Sequence, residues 1–333
     1  MEKPFRIFPS RRRLIVLASI LLLPALAWLL WTPGTEITDG RHDRGTNAIW
    51  MQHAWLADDP WLARNRKNPA NFRDPQALAN VADFFKDEHI RFLYPHLCPA
   101  QPDGTIAPSD PAQVERFLHA FADFQVLPWV GGVRNDSARI TDPAWRQHFA
   151  ASCAALLHDH PRLAGIHLNI EPLPSGDPHF LSLLAELRAA LPKGKTLSVA
   201  AYPPPTYWQQ SQDVHWDESY SRAVAARVDQ VAVMMYDTSL HSSKLYEQLL
   251  KDWTRETLAW YAPTSVLLGL PAYDDSGVAY HDPKIENLPT ALRGIHAGLN
   301  TLPPNYLGIA LYSEWTMGPE DWETLDGYFL QRR

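Results

Sequence analysis

Two cysteines in 333 residues are too few for a disulfide framework. Sequence alone leaves open whether Cys98 and Cys153 pair. Positive charge is also short: the formal net charge is -7, the pI is near 6.0, and basic residues gather only at the N-terminus. That removes the electrostatic footprint of a nucleic-acid partner. No glycine-rich phosphate turn follows the first strand-like run, which argues against a dinucleotide fold. HExxH and clustered-cysteine motifs are missing, and His158 and His160 fall at a helix end, so neither a metal nor a cofactor is expected. A GxSxG nucleophile elbow is absent too.

What is present describes a folded chain. A hydrophobic share of 46% with 20% charged residues supports a substantial core rather than disorder. Thirteen tryptophans are many for this length. Several fall near expected strand ends, which points to a stacking surface as well as to packing. At the N-terminus, Lys3, Arg6, Arg11, Arg12 and Arg13 precede an uncharged run of eighteen residues from Leu14 to Trp31. Such a run just spans a hydrocarbon core, with the basic residues 1–13 held in the cytoplasm. We therefore expect a transmembrane signal anchor over 14–31. The rest of the chain then lies on the periplasmic or extracellular side of the cell membrane, attached by a single pass. Ala25 and Ala27 offer a cleavage site, so secretion after signal-peptide removal is the alternative. Residues 32–46 are polar, contain Gly and Pro, and read as a linker.

From Asn47 to residue 333 the chain repeats an apolar run, a loop and an amphipathic stretch. The strand candidates are 48–55, 90–97, 125–130, 163–171, 196–202, 230–236, 266–272 and 307–313. Helical stretches lie at 75–86, 111–124, 143–158, 178–191, 244–260 and 319–330, several opening with proline after an Asp or Asn cap. Repeated strand-helix units in one domain predict an α/β fold of the (β/α)8 TIM-barrel type. A doubly wound sheet is the alternative. The longest loops carry Trp55, Trp61, Asp103, Trp208, Trp216, Asp274, Asp275 and His281, the expected rim of the active face.

The fourth candidate strand, LAGIHLNIEP, carries polar groups where an ordinary core strand has none. Side chains alternate along a strand, so Ile166, Leu168 and Ile170 share one face while Gly165, His167, Asn169 and Glu171 share the other. In a parallel barrel the second face points to the axis, and catalytic groups occupy the C-terminal strand ends. Glu171 stands at that position. His167 has two readings, a neutral hydrogen-bonded core histidine or a site residue whose charged form would favour ionised Glu171.

Four motifs resemble the family 18 glycoside hydrolases, the chitinase-like barrels. The family's fourth-strand DGxDxDxE is matched by AGIHLNIE, which keeps Gly165 and Glu171 but has Ala164, His167 and Asn169 in place of the aspartates. Its SxGG is matched by WVGG, with Trp129 for the serine and Gly131 and Gly132 retained. The sixth-strand MxYD is intact as Met234, Met235, Tyr236 and Asp237, and GLPAY, ending at Tyr273, resembles GxPxY. The eighth-strand tryptophan that floors the family's pocket aligns with Tyr312, with Trp315 three residues further on. Asparagine two residues before glutamate is similar to family 85 endo-N-acetylglucosaminidases.

The resemblance implies a glycoside hydrolase acting on a polysaccharide or glycan, including one containing N-acetylhexosamine. The mechanism it implies is substrate-assisted: the sugar's acetamido oxygen attacks the anomeric carbon and no protein nucleophile is needed. Glu171 would be the general acid and then the base, Asn169 would orient the acetamido group, Tyr236 would donate to its oxygen, and Asp237 would position the sugar. His167, Trp129, Tyr273, Tyr312, Trp315 and Trp55 would bind substrate. A conventional retaining route would need a second carboxylate about 5 Å from the first, for which Asp237, Asp274 and Glu314 are the candidates. Loss of the family aspartates supplies the alternative function, a catalytically inactive carbohydrate-binding barrel.

Overall fold

The computed structural model describes residues 22–207, 211, 213–275 and 277–330. The chain divides into two units, Met1–Pro33 and Gly34–Arg333. In the first, residues 22–30 are helical. The expected membrane span begins at Leu14, outside the described residues. Among the described residues no helix is long and apolar enough to cross a membrane.

In the second unit, local chemistry sets where the helices start. Asp74, Asp110, Asp142 and Asp177 each accept a backbone N–H from the helix they precede, and each is followed by proline at the first helical position. Proline has no N–H to leave unsatisfied there, and each such cap contributes about 1 kcal/mol. The helices of eight residues or more are α1 (Pro75–Asp87), α2 (Pro111–Ala120), α3 (Pro143–Asp159), α4 (Pro178–Ala190), α5 (Glu218–Ala225), α6 (Ser243–Trp260), α7 (Leu288–Gly298) and α8 (Pro319–Tyr328).

Between them run the strands β1 (Asn47–Met51), β2 (Ile90–Pro95), β3 (Gln125–Val126), β4 (Trp129–Val133), β5 (Gly165–Glu171), β6 (Thr196–Ala201), β7 (Gln230–Met234), β8 (Ser265–Pro271) and β9 (Tyr306–Tyr312). All nine are in one parallel sheet ordered β3-β2-β1-β9-β8-β7-β6-β5-β4. Its two ends are halves of one run. Pro128 divides the expected third strand because it cannot donate to the ladder, so β3 pairs with β2 and β4 with β5. Across the break, Leu127 N–H donates to the Leu93 carbonyl and Leu97 N–H to that of Trp129. The sheet thus curls round on itself with helices outside, as a (β/α)8 barrel does.

Two apolar layers result. Ile166, Leu168 and Ile170 join the larger core between sheet and helices. A smaller cluster that includes Ala48, Trp50, Tyr94, Leu127, Trp129, Leu267 and Ala310 fills the axis. From Gly34 the chain belongs to the barrel unit, where Thr35 N–H donates to the Arg293 carbonyl and the buried His42 meets His296 at 2.8 Å, Nδ1 to Nδ1.

Candidate active site

Strand β5 delivers three axis-facing side chains at three depths. His167, the deepest, is fully buried. Trp50 Nε1–H donates to its Nε2 at 3.1 Å, so Nδ1 carries the ring proton and faces Ser198 Oγ at 2.8 Å. Ser198 and Tyr94 both donate to Gln230 Oε1, and Tyr94 stacks on the imidazole with centroids 3.9 Å apart. Burial lowers the His167 pKa to about 3, and the ring is neutral. The expectation that His167 binds substrate is therefore corrected: it is a core histidine whose two nitrogens are engaged by Trp50 of β1 and by Ser198 of the adjacent β6.

One layer up, Asn169 Nδ2–H donates to Glu171 Oε1 at 2.9 Å. Asn169 Oδ1 is buried and has no protein donor. The approach depends on glycine in the neighbouring strand: Gly131, at φ +130°, pairs with Asn169, and a Cβ there would stand 1.9 Å from the Asn169 carbonyl oxygen. Burial raises the Glu171 pKa against the Asn169 hydrogen bond, and the charge of Asp237 raises it further. Those are the conditions under which a carboxyl stays protonated for acid catalysis.

Asp237, at φ 62°, follows the end of β7. Its Oδ1 accepts the Tyr273 hydroxyl and lies 3.2 Å from His281 Nδ1. Tyr236 stacks on Tyr312 with centroids 5.5 Å apart, and Tyr273 meets Tyr312 edge-on at 5.4 Å. Behind them Glu286 is buried and accepts the Thr238 N–H and hydroxyl.

These groups surround a cavity of about 700 Å³ lined by Trp50, Trp129, Asn169, Glu171, Tyr202, His215, Tyr236, Asp237, Ser239, Trp253, Tyr280 and Tyr312, among others. A smaller one of about 270 Å³, with His96, Cys98 and Gly132 in its wall, shares Trp129, Asn169 and Glu171 with it. Glu171 thus stands between two spaces. The larger is in the range that holds a small ligand and is mostly apolar with a few polar groups.

The expected site residues separate on this geometry. Glu171, Asn169, Tyr236, Asp237, Trp129 and Tyr312 line the cavity. Tyr273 stands behind Asp237, and Trp315, at 40% exposure, contacts the Tyr312 ring edge-on at 5.6 Å. Of the two, Tyr312 is the one among the cavity's lining residues. Trp55 is corrected: it is 3% exposed, packs on Phe72 and Phe117, and donates to Glu314. That contact, with the Gln52 N–H, makes Glu314 a structural carboxylate. Of the three candidate second carboxylates only Asp237 lines the cavity.

The rim divides likewise, with Trp216 fully buried, His281 buried, Asp103, Asp274 and Asp275 exposed, and Trp208 outside the described residues. Tyr202 and Trp50 fall within the expected strands 196–202 and 48–55 without a motif that singles them out, and His215, Trp253 and Tyr280 had none either.

The family model of Glycosyl hydrolases family 18 matches residues 66–302. No curated protein matches the chain by sequence. Among solved structures, the chain is similar to the Bacillus cereus spore cortex-lytic enzyme SleL at 14% identity and TM-score 0.57, over 89% of this chain and 75% of that one. A chitinase from Chromobacterium violaceum gives 14% identity and TM-score 0.56, over 84% and 98%. A fungal endo-beta-N-acetylglucosaminidase of family 18 gives 15% and 0.52, over 84% and 95%.

The raised Glu171 pKa has a consequence for stability with a definite sign. Its folded pKa exceeds its unfolded one, so the native state pays for an ionised carboxylate at high pH. That penalty is absent below the unfolded carboxylate range, about pH 4, and complete once pH passes the folded value. Glu171→Gln keeps the Asn169 contact and removes the charge. Thermal melts are expected to show the variant more stable than the parent at pH 8 and equal to it at pH 4. A variant no more stable at pH 8 contradicts the burial argument.

Proposed function

The chain belongs to glycosyl hydrolase family 18, and on that premise we propose that it hydrolyses a glycan containing N-acetylhexosamine by a substrate-assisted mechanism. The observation that carries this reading is the pair at the end of β5. Glu171 is a half-buried carboxyl whose pKa is raised by its desolvation. Beside it, Asn169 presents a buried acceptor without a protein donor, and such a group costs about 1–3 kcal/mol unless something fills it. An acetamido N–H is a fitting donor. With that group held, its carbonyl oxygen attacks the anomeric carbon, Tyr236 donates to it, and Glu171 gives its proton to the departing glycosidic oxygen. A bicyclic oxazolinium ion forms, its N–H still held by Asn169. Ionised Glu171 then takes a proton from water, whose hydroxide oxygen opens the oxazolinium ion at the anomeric carbon, which restores the neutral acetamido group and the acid.

The aromatic walls suit the reaction as well as the sugar. Trp129 and Tyr312, with ring centroids 6.3 Å apart, and Tyr236 offer flat apolar faces for stacking. No lysine or arginine is among the cavity's described lining residues, which favours an uncharged repeating unit over an anionic one. The solved relatives act on spore cortex and on chitin according to their names. For this chain, chitin-like or peptidoglycan-like glycans are the substrate class we infer. A second reading, a sugar-binding barrel without turnover, is favoured by His167 and Asn169 standing where the family motif has aspartates.

The test is reducing-end release from a panel of such glycans. Glu171→Gln keeps shape but cannot transfer a proton, so turnover is expected to fall roughly a hundredfold or more while glycan binding survives. Asn169→Ala is expected to slow acetamido sugars more than sugars lacking the group. Parent-level hydrolysis by Glu171→Gln would sink the mechanism, and a parent that binds but cleaves nothing would select the second reading.

We also propose that the uncharged run from Leu14 to Trp31, with five basic residues before it, tethers the barrel outside the cytoplasm. Full-length protein is then expected to remain with membranes through high-salt and alkaline washes. Recovery of a soluble chain beginning near Trp28 would contradict the tether.

A further inference from the structure

Behind the cavity wall, Asp237, His281 and Glu286 bring one polar atom each within 4.8 Å of one another. The His281 ring is fully buried, with Nδ1 3.2 Å from Asp237 Oδ1 and 3.8 Å from Glu286 Oε2. Neither ring nitrogen has an aligned hydrogen-bond partner, so what holds the ring is charge and stacking. It lies on Tyr273 with centroids 4.1 Å apart. Both carboxylates already have protein donors: Tyr273 O–H for Asp237, and Thr238 N–H and O–H for Glu286. One positive charge between them offsets one of the two negative charges.

We propose that His281 and Glu286 are positioning residues for Asp237, a buried imidazolium between two carboxylates that fixes the Asp237 side chain at the cavity wall and limits how much of its negative charge reaches Glu171. The groups belong to three segments: Asp237 and Thr238 after β7, Tyr273 after β8, and His281 and Glu286 in the connection that leads to α7. Tyr246 of α6 is the next titratable group toward both carboxylates. Burial opposes the charged ring, but the contact with Asp237 and the charge of Glu286 outweigh it, so His281 titrates above its ordinary value. Burial raises Glu286. The imidazolium is present below the raised His281 pKa and is lost as pH climbs through it.

The link to chemistry runs through Asp237, whose charge raises the Glu171 pKa. Removing the imidazolium leaves that charge unbalanced, so the acid form of Glu171 should persist to higher pH. Tyr273 and His281 both address Asp237 Oδ1, and among the described residues Oδ2 has no protein donor. It is the oxygen left for a sugar hydroxyl.

The inference of a catalytic effect rests on the hydrolase reading above, so the test has an arm that needs no activity. In the full-length protein in detergent, the His281 ring is titrated by NMR, its resonances assigned with His281→Gln. Its pKa is expected above about 6.5, falling by about one unit or more in Asp237→Asn and in Glu286→Gln. A value at or below the ordinary one, or one that ignores both substitutions, overturns the proposal, as does a tightly held metal ion in stoichiometric amount lost in His281→Gln.

On a glycan the parent cleaves, His281→Gln is expected to move the alkaline limb of kcat to higher pH and to lower kcat at neutral pH. Both effects should vanish in the Asp237→Asn background. Equal losses in both backgrounds mark His281 as a merely structural residue and overturn the proposal. If no glycan is cleaved, the hydrolase reading fails, and the titration still decides whether the ion triplet exists.

Discussion

Everything in the site depends on how one strand divides its side chains between two media. The alternation of β5 sends Ile166, Leu168 and Ile170 into the layer under the helices and His167, Asn169 and Glu171 toward the axis. Along the axis the environment grades from packed core to cavity. At the depth of His167 every polar atom must find a protein partner, and Trp50, Ser198, Gln230 and Tyr94 form a chain in which each donor meets an acceptor. Two residues higher, the supply of partners ends at Asn169 Oδ1. The acid sits two residues higher again, at the boundary. A register slip of one residue would exchange the two faces and destroy both core and site.

The same gradient explains what the aspartate replacements do. A carboxylate at position 167 would need a proton or a countercharge to survive in that layer. A neutral histidine needs neither, and its tautomer is fixed by its neighbours. Because burial pushes His167 so far down, it contributes no positive charge to Glu171. The raised pKa of Glu171 comes from burial and from Asp237 rather than from a neighbouring carboxylate on its own strand. Asn169 works against that shift through its hydrogen bond, and the balance still favours the acid form.

Much of this was legible in the sequence because the strand period and the motif spacing carry it. Glu171, Asn169, Tyr236, Asp237 and Tyr312 are strand-end residues, and parallel strands gather their C-terminal ends on one face. His167 failed as a substrate contact because periodicity gives the face of a strand and not the depth along the axis. Trp55 failed because a short helical turn after β1 directs it into Phe72 and Phe117 rather than over the cavity. Trp253 and Glu286 had no local signal. One reaches the cavity from within α6 and the other sits just before α7, so their places are set by helix packing. Pro128 was visible, but that it would divide a strand shared by both ends of the sheet follows only from the hydrogen bonds on either side of it.

The central claim is that the substrate's acetamido oxygen, and not Asp237, attacks the anomeric carbon. The measurement that tests it most directly is the rate of hydrolysis of N-acetylhexosaminides whose acetyl group carries none, one, two or three fluorines, with the same leaving group throughout. Fluorine withdraws electron density from the carbonyl oxygen while leaving the glycosidic bond and Glu171 in place. The account predicts that kcat falls steeply with each fluorine, because the attacking atom itself is weakened. A series in which kcat stays level while the sugars still bind would mean that a protein carboxylate performs the attack.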